Sequence, residues 1–303
     1  MKYLIKSDDY SFSFNKSKAP LAEIESGDVV VFETIDAHNK TVPGGKDVTF
    51  PDLDLSASNP ITGPITVKNS EPGDILKIKI KKIKLGSNGF VPARKKMGCI
   101  KGLVPKNTAR NIPVKNNLLY FSEKIIIPVR PMIGTIGVAP KEGEIFSVHP
   151  GIHGGNMDNN DVKVGSTLYL PVFVKGAFLS VGDVHAAMGD GELTSGGVDI
   201  DSEVTLKIEL IKNREINYPV IETDDSFITT SNARDFYEAN RLATLEMINL
   251  LKKGLGVSEI EAYWLISMYG DLKISQAASC PVDLTLRLSF PKLKGFLVWN
   301  KIF

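Results

Sequence analysis

Four histidines, His38, His149, His153 and His185, sit beside carboxylates in two short segments and one echo of them. The first segment, HPGIHGGNMDNND (149–161), has no apolar periodicity and reads as a loop. It carries His149, His153, Asn156, Asp158 and Asp161, with Gly151, Gly154 and Gly155 letting backbone pass close to a ligand. The second segment is DVHAAMGDGE (183–192). If it is extended, Asp183 and His185 point to one side, because strand side chains repeat every two residues. The turn Gly189-Asp190-Gly191 then brings Glu192 back toward them. Asp36-Ala37-His38 repeats the Asp-x-His spacing at the end of VVVFETIDAH.

Imidazole nitrogen with carboxylate oxygen is what zinc accepts where thiolates are absent, and a catalytic zinc keeps one position for water. Asp36, His38, Asp183, His185 and Glu192 therefore form a candidate ligand pool for Zn2+. The carboxylate-rich neighbourhood leaves room for a second, harder divalent cation such as Ca2+. The competing reading makes His38 and His185 half-buried, hydrogen-bonded residues and the aspartates turn caps, as for Asp8, Asp9, Asp52 and Asp54. No nucleophile motif competes with the metal reading. There is no Gly-x-Ser-x-Gly elbow and no Lys with paired serines. Cys99 and Cys280 have no neighbouring histidine and read as buried, inert thiols. Gly44-Gly45-Lys46 lacks the spacing of a phosphate loop.

The elements that must position these groups are mostly strands. A Gly-Asp or Gly-Ser turn followed by a β-branched run recurs at Gly27-Asp28, Gly73-Asp74, Gly165-Ser166 and Gly182-Asp183. Strict alternation in ILKIKIKKIKL predicts a half-buried strand with Lys77, Lys79 and Lys81 outward. The expected fold is mainly β: duplicated β-sandwich-like halves over 1–85 and 140–225, the latter carrying the site. An α+β insertion occupies 86–139. Residues 226–303 are expected to hold a C-terminal helical hairpin plus terminal strands, and 1–303 to form a single compact unit. The first helix is predicted over 232–253, with Gly254 ending it. Ser258 and Glu261 form a capping box for the second, which stops at Gly270. The tail KGFLVWNKIF reads as docked.

Lys plus Arg number 36 against 35 Asp plus Glu, so the net charge of +1 offers no field for nucleic acid or an anionic membrane. Two cysteines make no disulfide framework. The N-terminus MKYLIKSDDYSFSF has no apolar signal-peptide core, and no window approaches the ~20 apolar residues of a membrane span. A soluble, cytoplasmic protein is expected.

The stretches HPGIHGGNMDNND and LYLPVFVKGAFLSVGDVHAAMGDGE closely resemble the acetamidase/formamidase family, as do GPITVKNSEPGDILKIKI and GVAPKEGE. The resemblance implies a metal-dependent hydrolase of short, unsubstituted carboxamides that releases ammonia. It also implies a largely β fold, and a homo-oligomer, dimer or higher. Family motifs map onto His153, Gly154, Gly155, Asn156 and Asp158, and onto Asp183, His185, Gly189, Asp190, Gly191 and Glu192. On that basis Glu142 is the candidate general base. His153, Asn156 and Asp158 orient the carbonyl or hold a second cation, and Gly154, Gly155 and Met188 border the substrate. Many relatives carry Gln where this chain has Met188, and often Glu where it has Asp199. The alternatives are a hydrolase of a cyclic or larger amide and a non-catalytic metal-binding β-sandwich module. Histidine is a poor calcium ligand, which favours the enzyme.

Overall fold

The computed structural model describes residues 1–52, 54–278 and 283–292. The alternating lysine run forms strand Ile75–Leu85. Ile78 and Ile80 are buried, Lys77 and Lys79 are half-buried and Lys81 is exposed, as the alternation predicts. The strand pairs antiparallel with Ser202–Ile211, and a register shift between Thr205 and Leu206 leaves Lys81 without a pairing partner. These two strands are neighbours inside a nine-stranded sheet. In spatial order its first five members are Lys2–Ile5, Val29–Thr34, Ser202–Ile211, Ile75–Leu85 and Thr167–Pro171. Strands from the two β sub-regions are therefore interleaved within one sheet.

A second sheet runs Pro150–Gly151, Gly154–Asn156, Met132–Gly137, Leu179–His185, Ile61–Val67 and Tyr10–Ser11. Its three longest strands are buried throughout. The main core lies between the sheets, with Phe32, Ile78, Leu168 and Leu206 of the first meeting Ile65, Ile133, Val181 and Val184 of the second. Residues 86–139 contain strands and turns but no helix, a difference from the expected α+β insertion. Asn88–Ala93, Thr108–Lys115, Leu118–Tyr120 and Ile126–Pro128 form a small sheet with Asp47–Thr49. Met132–Gly137 returns to the second large sheet.

Helix α1 spans Phe236–Leu255. Asp235 caps it by accepting from the Glu238 N–H at 2.9 Å. The helix passes the expected stop at Gly254, which is buried, and ends at Gly256 in left-handed conformation (φ +71°). Ala239, Ala243, Met247 and Leu251 face the strands beneath, whereas Phe236 and Leu245 turn outward. Helix α2 spans Glu259–Tyr269 and carries the predicted capping box, with the Ser258 N–H donating to Glu261 Oε2 at 2.8 Å. The hairpin covers the far end of the large sheet, where Leu284–Pro291 pairs with Asp271–Gln276. That pairing delivers Gln276 to the site described below. Cys280 and the tail 294–303 lie outside the described residues. No helix among the described residues is long and apolar enough to cross a membrane.

Candidate active site

Strand Leu179–His185 changes face at its end. Leu179 and Val181 point into the core, and Val184 does so again, because Asp183 adopts a left-handed backbone (φ +48°) that shifts the alternation by one. Asp183 and His185 thus share a side, but not through the simple extended geometry expected. The neighbouring strand accommodates this. Ile133 pairs with Val184 and Thr135 with Gly182, so Gly134 lies against the irregular residue. A Cβ on Gly134 would fall 2.7 Å from Asp158 Oδ1 and 2.8 Å from Asp183 Oδ2. Glycine there is what lets two carboxylates close on the same backbone.

Asp158, Asp183 and His185 each present one ligand atom, all within 4.8 Å of one another, and all three are buried. His185 Nε2 lies 3.2 Å from Oδ1 of both Asp183 and Asp199. Both contacts are ion-pair approaches rather than aligned hydrogen bonds, since neither Oδ1 has a hydrogen-bond partner. Asp158 Oδ1 and His185 Nδ1 are likewise unpartnered. The other oxygens are held: Asn59 donates to Asp183 Oδ2 at 2.8 Å, and Gln276 to Asp158 Oδ2 at 3.0 Å. Thr135 Oγ1 sits between Asn156 Oδ1 (2.8 Å) and Asp183 Oδ2 (3.2 Å).

The electrostatics follow from burial. Loss of water, and then the charge of Asp183, push Asp158 up to about 7. Burial, with Asp158 next, holds Glu192 well above the usual carboxylate range, and burial also raises Asp199. Burial opposes charge on His185, but Asp183 and Asp199 override it and keep the ring's pKa well above its ordinary value. The backbone carries strain as well. Asp158, Asp183, Glu192 and Ser195 all have φ between +45° and +65°, at about 1–3 kcal/mol each for residues other than glycine.

A cavity of about 40 Å³ opens onto the cluster. Asp183, His185, Glu192 and Asp199 line it, together with the polar groups of Asn59, Asn156, Arg94 and Ser195. Met97, Leu55 and Val148 add apolar surface.

The model of the acetamidase/formamidase family matches residues 14–146 and 144–291. The chain belongs to the acetamidase/formamidase family. It is similar over 96% of both chains to the crystal structure of a recombinant "predicted acetamidase/formamidase" from the thermophile Thermoanaerobacter tengcongensis, at 38% identity and a TM-score of 0.91. It is similar to an acetamidase from Bacillus halodurans over 95% of this chain and 97% of that one, at 37% identity and a TM-score of 0.90. A formamidase from Methylophilus methylotrophus is 24% identical over 56% of each chain. The chain spans 56–62% of the length of the curated relatives it matches.

Within this family member, the sequence-derived candidates separate. Asp183, His185 and Glu192 line the cavity, and so does Asn156. Asp158, expected to orient the carbonyl or hold a second cation, joins Asp183 and His185 in the group that could hold a metal. Asp36 and His38 stand outside that group. The carboxylate of Asp36 accepts the N–H groups of His38 (2.9 Å) and Lys40, which makes it a turn cap. His38 Nε2 meets the Arg94 guanidinium, and its ring lies edge-on between Phe50 and Phe90. Burial, and then Arg94, hold His38 down to about 3, so it stays neutral and takes a hydrogen bond from Arg94. Glu142 stands on an exposed turn away from the cavity lining. His153 is buried against Phe14, with neither ring nitrogen partnered, and does not line the cavity. Met188 is buried but also outside the lining. Gly154 and Gly155 act on backbone: a Cβ on Gly155 would fall 2.2 Å from the His149 carbonyl oxygen. Cys99 is exposed, not buried, because its loop lies on the surface.

Sequence reasoning passed over Asn59, Arg94, Thr135, Ser195 and Gln276 as site residues, and noted Asp199 only as a departure from relatives. No local signal marks them, since each arrives on a separate element. The donor set fits a divalent cation: two aspartate oxygens and an imidazole converge, with buried atoms that nothing in the protein satisfies.

Proposed function

We propose that this family member is a metal-dependent hydrolase of short aliphatic carboxamides of the formamide and acetamide type. The cavity carries the reading. At about 40 Å³ it has room for about three water-sized groups, which matches a solute of three or four non-hydrogen atoms. Its walls combine neutral amide and guanidinium donors with a carboxylate and imidazole cluster.

Amide hydrolysis needs an activated water, charge stabilisation on the tetrahedral oxyanion and a proton for the departing nitrogen. A divalent ion such as zinc, held by Asp158, Asp183 and His185, would lower the pKa of a water to about 7 and polarise the carbonyl. Asn59 and Gln276 keep two carboxylates oriented toward that position. Asn156 lines the cavity and would fix the amide group of the substrate. Glu192 lines the cavity, its carboxyl pushed well above the usual carboxylate range by burial and then by Asp158, and it would pass a proton to the leaving nitrogen. This shifts the acid–base role from Glu142 to a residue that reaches the cavity. A second cation such as Ca2+ would draw on Asp199 and leave Glu192 to its acid role.

The small cavity weighs against a cyclic or larger amide. We also read the working form as a cytoplasmic homo-oligomer. Exposed Tyr237, Ile260, Tyr263 and Trp264 on the helical hairpin support association, and the exposed free thiol of Cys99 supports a reducing compartment. The test is ammonia release from formamide, acetamide, butyramide and a γ-lactam, with metal analysis alongside. About one divalent ion per chain is expected, with activity on the two smallest amides that chelation abolishes and the ion restores. Full activity after chelation removes the metal reading. Saturable acetamide binding without ammonia leaves the binding-module reading.

A further inference from the structure

Behind the cluster lies a buried arginine that never meets the cavity. Arg287, on strand Leu284–Pro291, is 3% exposed. Its Nη2 donates to both oxygens of Asp190 at 2.8 Å. Its Nε lies 3.0 Å from Asp161 Oδ2, and its Nη1 lies 3.3 Å from Ser275 Oγ. Each partner is a near chain neighbour of a site residue. Asp161 follows Asp158 by three positions, Asp190 precedes Glu192 by two, and Ser275 immediately precedes Gln276. The three segments are tied to one another as well. The Gly191 N–H donates to the Ser275 carbonyl at 3.0 Å, and the Ala277 N–H to the Gly191 carbonyl at 2.9 Å. Asn160 Nδ2 donates to Asp190 Oδ1 at 2.7 Å. From the same strand as Arg287, Thr285 Oγ1 donates to the Met157 carbonyl at 2.9 Å.

We infer that Arg287 is a positioning residue for the reaction: one planar guanidinium binds together the loops that carry Asp158 and Glu192 and the strand that carries Gln276. The inference rests on the hydrolase reading above. Several buried acids arrive in the site on separate loops, and those loops keep their register only if something outside the site ties them together. A guanidinium suits this because its donors form a rigid fork that engages several carboxylates at fixed angles. An ammonium is a point charge on a flexible stem and cannot hold the same three directions.

The test compares wild type, Arg287→Lys, Asp190→Ala and Asp74→Asn. Asp74 is a control. It is a buried carboxylate paired with Lys212 at 2.6 Å, and none of its recorded partners belongs to the site. Zinc is titrated into the metal-free proteins by calorimetry, amide exchange is followed over residues 156–161 and 189–193, and acetamide kinetics are measured. In Arg287→Lys and Asp190→Ala, exchange in both segments is expected to accelerate about tenfold. Zinc affinity and kcat are expected to fall about tenfold, with KM little changed. Asp74→Asn loses thermal stability while these readouts stay at wild-type values. Should Arg287→Lys fail to fold, Asp190→Ala, at a half-exposed position, carries the test. Wild-type exchange and zinc affinity in the Arg287 and Asp190 variants overturn the inference. A wild type that takes up zinc but releases no ammonia removes the hydrolase reading and leaves exchange and affinity to decide this one. If wild type takes up no zinc, exchange alone decides it.

Discussion

Gln276 reaches Asp158 across 118 positions of chain, its Nε2 donating to Oδ2 at 3.0 Å. The bond holds one oxygen and leaves the other, Oδ1, without a protein partner. It also lowers the carboxyl pKa against the burial that raises it. Gln276→Leu removes the donor from a buried oxygen. We expect a stability loss of about 1–3 kcal/mol and a fall in kcat/KM of roughly 10- to 100-fold. Thermal melts and acetamide kinetics read both. A fully active Gln276→Leu enzyme would show that Asp158 needs no such support.

The cluster predicts an inverted response of the metal-free protein to pH. Asp158 stands at about 7 in the folded chain against 3.8 for the free group. Between those values the folded chain keeps a proton that the unfolded chain has lost. The stability this confers is fully present below about pH 4 and disappears as pH rises toward 7. A divalent cation replaces the proton and reverses the trend. Melting temperatures at pH 5 and pH 8, with and without zinc, should show the larger zinc increment at pH 8. Equal increments at the two values count against a cation at the carboxylates.

Gly134 sets the distance between two acids. An added Cβ would press on Asp158 Oδ1 and on both Asp183 Oδ2 and the Asp183 carbonyl, all at 2.7–2.8 Å. Backbone cannot yield as a flexible side chain would. Gly134→Ala should cost stability, about 1–3 kcal/mol for overpacking, and cut zinc affinity by more than tenfold. Calorimetry on the purified variant measures the affinity directly, and wild-type affinity there refutes the packing argument.

Substrate length should be limited by the cavity wall. Rates should drop steeply from acetamide to butyramide, since a chain two methylenes longer exceeds the space. Met97 and Leu55 line the cavity on its apolar side. Met97→Ala is expected to narrow the acetamide-to-butyramide ratio in kcat/KM by roughly 10-fold, in keeping with about 1–3 kcal/mol for methylene discrimination in a pocket. An unchanged ratio means that another residue sets the limit.

The chain's own order of residues determined what is local. Alternation produced the Ile75–Leu85 strand, and the Ser258 and Glu261 spacing produced the helix cap, because both depend only on neighbours within a few positions. An extended backbone would place Asp183 and His185 together, and they do meet, but through the left-handed turn at Asp183 that the spacing does not reveal. The end of α1 was misjudged by two residues, since both Gly254 and Gly256 satisfy the sequence rule and only packing buries the first. His38 matched the residue type of a ligand, yet tertiary contacts turned its Nε2 to Arg94. Asp158, Asn59, Asp199 and Gln276 join Asp183 and His185 only through sheet register and loop ties. Those are sums of many distant pairings. No window of sequence contains them, so the folded chain alone decided which acids share the buried space and which of their oxygens remain free.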